Sequence, residues 1–160
     1  MKLVLNRRTD YAIRALVFLA EQDGGRAKAA AIAEAMDVPK GFLHQVLQSL
    51  IRARIVSSQP SRRGGYALVR APEEISILSV AEAMEGPIDP DECTLRGGPC
   101  HWDEVCALHW VWSAAREAVG DQLRMATIAQ VAADDKALAA GTKPVPADSH
   151  RNREHSHAAK

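Results

Sequence analysis

KAAAIAEAMDVPKGFLHQVLQSLIRARIVSSQPSRRGGYALV, residues 28 to 69, is the stretch that carries the fold. Lys28 to Met36 is alanine-rich, with Ile32 among the alanines, and reads as a short helix. Asp37 and Val38-Pro39 follow, and a second helix is predicted from about Lys40 to Ala53. Its apolar residues Phe42, Leu43, Val46, Leu47, Leu50 and Ile51 recur at i, i+1, i+4, i+5, i+8 and i+9, a stripe that faces a core. The opposite face carries Lys40, His44, Gln45, Gln48, Ser49 and Arg52. Asp37, in the turn, takes a left-handed backbone at modest cost. Gly41 lies early in the second helix, where a missing side chain lets a phosphate or base approach the backbone. Two short helices with a tight turn, the second polar and basic outside, describe a helix-turn-helix.

The continuation supports that reading. Ile55 to Ser58 is strand-like, Gln59 to Gly65 is a loop holding Pro60, Arg62, Arg63, Gly64 and Gly65, and Tyr66 to Val69 is a second strand. A hairpin with two arginines at its tip, after a helix-turn-helix, is the layout of a winged helix. The recognition helix enters the major groove and the wing lies along the backbone or minor groove. The residues expected to face DNA are Lys40, Gly41, His44, Gln45, Gln48, Arg62 and Arg63.

Working outward, Arg7 to Glu21 reads as an amphipathic helix, capped by Thr9 or Asn6, with Tyr11, Ala15 and Phe18 on one face and Ala12, Leu16 and Leu19 beside them. Asp23-Gly24-Gly25 ends it. Beyond the wing, Pro72 closes the hairpin, and Ser79-Val-Ala-Glu82 has capping-box spacing for a short helix through Met84 that stops at Gly86-Pro87. A longer helix is predicted from about Asp103 to Arg124, with Leu108, Val111, Trp112, Ala115, Val119 and Leu123 along one face. Such a face needs a cover, and its copy in a second subunit is the simplest one. A symmetric dimer also suits a palindromic operator in double-stranded DNA. Thr127 caps a last short helix, Ile128 to Ala133, and the chain after Asp134 has no periodicity and reads as disordered, including His150, His155 and His157. The expected class is therefore mainly α with a small β-wing: a winged helix-turn-helix with a long C-terminal dimerisation helix. Its parts are a DNA-binding domain at 1–85, a loop at 86–106, the dimerisation and terminal helices at 103–133, and a tail at 134–160.

The loop has chemistry of its own. Cys93-Thr-Leu-Arg-Gly-Gly-Pro-Cys100-His-Trp-Asp-Glu-Val-Cys106-Ala-Leu-His109 is a C-x6-C-x5-C-x2-H constellation that holds all three cysteines of the chain. Three thiolates and an imidazole form a four-donor set for zinc or an iron–sulfur cluster. Cys106 and His109, at i and i+3, share one face of a helix. Gly97, Gly98 and Pro99 break regular structure, so the loop can wrap a ligand. The odd number of cysteines and the absence of a signal-like apolar core after Met1-Lys-Leu-Val-Leu-Asn-Arg-Arg weigh against a disulfide and point to a cytoplasmic protein with reduced thiols.

Composition bounds the function. The chain has 160 residues, is 47% hydrophobic and has a formal net charge of zero. Residues 1–70 carry 12 Lys and Arg against 5 Asp and Glu, whereas residues 71–160 carry 8 against 15. A basic half joined to an acidic half suggests a polyanion-binding domain followed by something else. No apolar run is long enough to cross a membrane. No Walker sequence, nucleophile elbow or dinucleotide fingerprint occurs, and no carboxylate pair stands out, so an enzyme is not expected.

Thr9-Asp10-Tyr11-Ala12-Ile13-Arg14-Ala15-Leu16, Ile32-Ala33 through Leu50, Gly64-Gly65-Tyr66, Ile77 to Gly86 and the cysteine loop together carry a resemblance. Over roughly residues 1–133 the chain resembles the IscR/NsrR/RirA family of bacterial iron–sulfur winged-helix transcription regulators. The resemblance implies a homodimer with one cluster per subunit, whose DNA affinity depends on the state of that cluster. The Cys106-Ala-Leu-His109 ending looks like the IscR branch, which implies Cys93, Cys100, Cys106 and His109 as ligands of a 2Fe–2S cluster. Thr9-Asp10-Tyr11 looks like the NsrR branch, which implies Asp10 of the partner subunit as the alternative fourth ligand, on a 4Fe–4S cluster that reacts with nitric oxide. Local spacing favours His109, and Asp10 also has Arg14 four residues on. Three features depart from the family. The first cysteine spacing is one residue longer, Pro60 replaces the arginine before the glycine run, and His44 stands where the IscR branch has an acidic base reader. The function expected is DNA-binding regulation controlled by a cluster that senses iron or cluster supply, redox state or nitric oxide. The alternative is a constitutive DNA-binding module with a structural Cys3His zinc site.

Overall fold

The computed structural model describes residues 5–22, 24–61, 64–87 and 106–146. Arg62, Arg63, Cys93, Cys100 and the tail histidines lie outside the described residues, and the long helix expected from about Asp103 begins only at His109, since Cys106 to Leu108 form a turn before it. The elements are α1 (Arg7–Ala20), α2 (Ala29–Ala35), α3 (Lys40–Arg52), β1 (Val56–Gln59), β2 (Gly65–Leu68), a single 3-10 turn (Pro72–Glu74), α4 (Ile77–Glu85), α5 (His109–Met125) and α6 (Ile128–Ala139). This is the expected winged helix-turn-helix, mainly α with a two-stranded wing.

One core joins the elements. Ala12, Ala15, Leu16 and Leu19 of α1 meet Ile32 of α2, Leu43, Val46, Leu47 and Leu50 of α3, Ile75, Val80 of α4 and Ile128 of α6. Each fully buried Leu or Ile contributes about 1.5–3 kcal/mol against exposure. Asn6 is the cap of α1: its Oδ1 accepts from the Thr9 backbone N–H at 3.0 Å. Thr9 is buried instead, and its hydroxyl donates to Glu85 Oε1 at the far end of α4. The same oxygen accepts from the Asn6 backbone N–H at 3.0 Å, so the last residue of α4 holds the first turn of α1.

Three helices stop on a residue with left-handed backbone. Asp37 (φ 50) closes α2 as its sequence position suggested, with Val38 N–H bonded to Ala33 O at 3.0 Å. Arg54 (φ 56) closes α3, and Ile55 N–H returns to Leu50 O at 2.9 Å, which turns Ile55 into the core and launches β1. Gly141 (φ 69) closes α6, where Thr142 N–H reaches Ala137 O at 2.9 Å and Gly141 N–H reaches Leu138 O at 3.2 Å.

The wing pairs Val56 with Leu68 and Gln59 with Gly65. Next to its loop it is pinned by an isolated bridge in which Ala27 N–H donates to Tyr66 O at 2.9 Å and Tyr66 N–H to Ala27 O at 2.8 Å. Gly65 (φ 149) is required there, because a Cβ would sit 2.4 Å from the Ala27 carbonyl oxygen.

Four expectations are corrected. Helix α4 is capped by Ser76, not Ser79: Ser76 Oγ accepts from the Ser79 backbone N–H at 3.1 Å. The start is set at a distance, since Ser76 bridges Thr127 and Ile77 N–H donates to Ala126 O at 2.8 Å. Helix α6, capped by Thr127 as expected, does not stop at Ala133 but runs to Ala139, so the aperiodic tail does not begin at Asp134. Alanine and leucine sustain it, and the Gly141 motif ends it. Phe42 leaves the expected core stripe; it is 52% exposed and lies against Tyr11, ring centroids 6.1 Å apart. Ser49, expected on the outer face, is buried.

Candidate nucleic-acid interface and metal centre

Helix α3 buries Leu43, Val46, Leu47 and Leu50 and leaves Lys40, Gly41, His44, Gln45, Gln48 and Arg52 exposed. All five of the expected DNA-facing residues on this helix are thus on the open side. An added Cβ at Gly41 would meet nothing within 4 Å, so the fold itself does not demand glycine there. A glycine that costs helix stability and fills no internal need leaves room for something outside the chain.

The exposed helix is fixed by its buried neighbours. Ser49 Oγ accepts from Arg52 Nη2 at 2.9 Å and from Arg8 Nη2, on α1, at 3.2 Å. At the loop end of the wing, Arg26 Nη1 donates to Gly65 O at 3.1 Å and Lys28 Nζ to Ser61 O at 2.8 Å. These four cations border the α3 face and the wing. The sequence alone marks Arg52 as outward but does not place Arg8 beside it, nor Arg26 and Lys28 beside the hairpin, because only the packing of α1 onto α3 and of residue 27 onto the hairpin brings them there. The signal available was their sign: all belong to the basic half of the chain.

The expectation that Cys106 and His109 share one face of a helix is corrected: α5 begins at His109, and Cys106 lies before it, in a turn closed by His109 N–H donating to Cys106 O at 2.8 Å. Cys106 is half-buried and His109 exposed. His109 Nε2 lies 3.4 Å from Ser113 Oγ, one turn further on. With Nε2 as the donor, Nδ1 keeps its lone pair for a metal, the usual division of labour in a ligating imidazole. Among the described residues no three candidate ligands converge, since Cys93 and Cys100 fall outside them. Asp10, the other fourth-ligand candidate, is in the first turn of α1, paired with Arg14 Nε at 3.1 Å. Arg14 Nη1 also reaches Met36 O, beside the helix-turn-helix turn, at 3.4 Å.

Helix α5 divides in two. Its C-terminal half docks on the domain through half-buried Val119, buried Gly120 and Leu123, which packs against the core. Its N-terminal half does not: Leu108, Trp110 and Val111 are exposed, Val111 by 64%. The described residues therefore cover only half of the apolar face predicted from the sequence.

Comparison with known proteins agrees with this architecture. A family model described as Rrf2, iron-dependent transcriptional regulator, matches residues 5–134. The chain is 34% identical over 129 residues to Mycobacterium tuberculosis Rv1287, named as an HTH-type transcriptional regulator, covering 80% of each chain. It is 32% identical over 119 residues to an rrf2-like HTH-type regulator of Rhodobacter capsulatus, covering 69% of this chain and 79% of that one. Among solved structures, CymR, the global cysteine regulator of B. subtilis, superposes with a TM-score of 0.71 at 26% identity, covering 82% of this chain and 98% of CymR. IscR of T. potens superposes with a TM-score of 0.70 at 22% identity, over 91% and 95% of the two chains, a likeness of fold.

Proposed function

Since the chain belongs to the Rrf2 family and is a DNA-binding transcriptional regulator rather than an enzyme, we propose that it acts as a homodimer whose operator binding is set by an iron–sulfur cluster. Two α3 helices read successive major grooves of a palindromic operator through Lys40, Gly41, His44, Gln45 and Gln48, with Arg62 and Arg63 of each wing on the flanking DNA. Cys93, Cys100, Cys106 and His109 hold the cluster, preferably 2Fe–2S. Asp10 of the partner subunit is the alternative fourth ligand, which would accompany a 4Fe–4S cluster.

The observation that carries this reading is the start of α5. Cys106 and His109 sit one turn apart where the uncovered apolar stretch Leu108–Val111 begins. Thiolate and imidazole suit iron–sulfur ligation, and a helix whose first residue is a candidate ligand and whose first turn carries an open apolar face couples the filling of the site to subunit contact. The cluster supplies sensitivity to iron supply, redox state or nitric oxide. The chain supplies the transmission: residues 86–108 connect α4 to α5, and Glu85, directly before them, bonds the first turn of α1. Rearranging that loop biases how the two α3 helices are presented. Reduced thiols fit a cytoplasmic protein, and among the described residues no helix is long and apolar enough to cross a membrane.

Anaerobic purification with optical spectra and iron and sulfide assay tests the proposal. Coloured protein with iron and sulfide in cluster stoichiometry is expected. Protein that stays colourless after reconstitution but retains stoichiometric zinc overturns it in favour of a constitutive DNA-binding module with a Cys3His zinc site.

A further inference from the structure

We propose that Arg8 and Arg52 form a phosphate-gripping pair, organised by the buried hydroxyl of Ser49, that takes a phosphodiester of the DNA backbone beside α3. The inference rests on the DNA-binding reading and adds a binding site at the end of the recognition face, where Arg8 of α1 joins it.

Ser49 is only 4% exposed, yet its Oγ accepts from two guanidinium groups on different helices, Arg8 Nη2 at 3.2 Å and Arg52 Nη2 at 2.9 Å. Two like charges drawn to one neutral oxygen repel each other. Arg8 carries a further penalty, since it lies in the first turn of α1, where the helix field disfavours a cation. Among the described residues neither guanidinium is in an ion pair. The nearby carboxylates are engaged elsewhere: Asp10 with Arg14 at 3.1 Å, and Glu85 with the Asn6 N–H and the Thr9 hydroxyl. Each guanidinium has five N–H donors and spends one on Ser49, so both keep a fork of donors for an external anion.

The position identifies the anion. Gly41, Gln45, Gln48 and Arg52 are spaced i, i+4, i+7 and i+11, one narrow exposed stripe of α3. Arg52 continues the face that enters the groove, and Arg8 adds a second cation from the neighbouring helix. A base edge offers no such concentrated negative charge; the phosphodiester at the groove wall does. The pair therefore contributes to affinity for any duplex and not to base choice.

The test measures the affinity of full-length protein for a short fluorescent duplex of mixed sequence, with salt varied from about 50 to 200 mM. Arg8→Gln and Arg52→Gln are each expected to weaken binding at the low-salt end. Each is expected to flatten the plot of log affinity against log salt by about 0.9 for every phosphate that the variant no longer neutralises. Arg8→Lys and Arg52→Lys keep the wild-type slope, because the charge remains, while losing part of the affinity with the fork geometry. Ser49→Ala retains both charges and weakens binding with a near wild-type slope. Wild-type slope and affinity in the Arg8→Gln, Arg52→Gln double variant overturns the proposal. A loss of affinity with unchanged slope in that variant also overturns it, because it assigns the pair a purely structural role. A wild-type chain that binds no duplex at any of these salt concentrations removes the DNA-binding reading itself, and the pair's role with it.

Discussion

Replacing Gly41 with alanine separates stability from binding. Gly41 is the second residue of α3, it is exposed, and a Cβ there meets no atom within 4 Å. The substitution therefore has no steric cost in the free protein. Alanine exceeds glycine by about 1 kcal/mol in a helix interior, and by about half that in a first turn, so Gly41→Ala should stabilise the fold by about 0.5–1 kcal/mol. For a domain of this size that is a rise in Tm of roughly 1–4 °C. On DNA the sign reverses. If the start of α3 approaches the duplex closely, the methyl group occupies the gap and holds the helix away. A loss of about tenfold in operator affinity, about 1.4 kcal/mol, is the expected minimum. Urea unfolding and fluorescence anisotropy with the operator duplex read the two effects on one preparation. A stabilised variant that binds with wild-type affinity would refute the close approach. A destabilised variant would refute the open helix start.

Three further outcomes follow from the packing. Ile128→Ala removes a fully buried side chain that ties α6 to the core, and a loss of about 2–5 kcal/mol in chemical denaturation is expected; a loss under about 1 kcal/mol would mean that α6 docks loosely. Arg54→Gly relieves a non-glycine residue held at φ 56 and should raise the denaturation midpoint by roughly 0.5–1 kcal/mol of stability; an unchanged or lower midpoint contradicts the left-handed stop of α3. Val111→Asp places a charge on the uncovered half of α5 and should convert a sedimenting dimer to monomer and weaken operator binding; a variant that remains dimeric shows that this face is not the subunit interface.

Much of the fold was legible because its signals are local. The apolar spacing of α3, the Asp37 turn and the glycine-rich hairpin each settle within a few residues. What escaped depends on pairings far apart in sequence. Ser49 reads as polar and therefore outward, but Arg8, on α1, supplies a partner that a sequence window around α3 cannot contain. Phe42 reads as core, but α1 offers Tyr11 at the rim and not a pocket beneath. Ser76 caps α4 because the chain is anchored at Thr127, fifty-one positions away, while the Ser79-Val-Ala-Glu82 pattern that looked like a cap lies inside the helix. For the candidate metal centre, the i and i+3 spacing of Cys106 and His109 suggested one helix face, but the helix starts only at His109 and Cys106 stays in the turn before it, because the last stretch of the loop is not helical. The Ser113 hydroxyl near the imidazole was not marked by any motif, because a serine one turn away is common on any helix.

The central claim is that filling the cysteine and histidine site changes how the dimer holds its operator. The most direct measurement compares cluster-loaded and cluster-free protein on the same operator, by footprint and by affinity at one fixed salt concentration. The account predicts that the two forms differ in affinity, in the extent of the footprint, or in both. Identical footprints and equal affinities would contradict it.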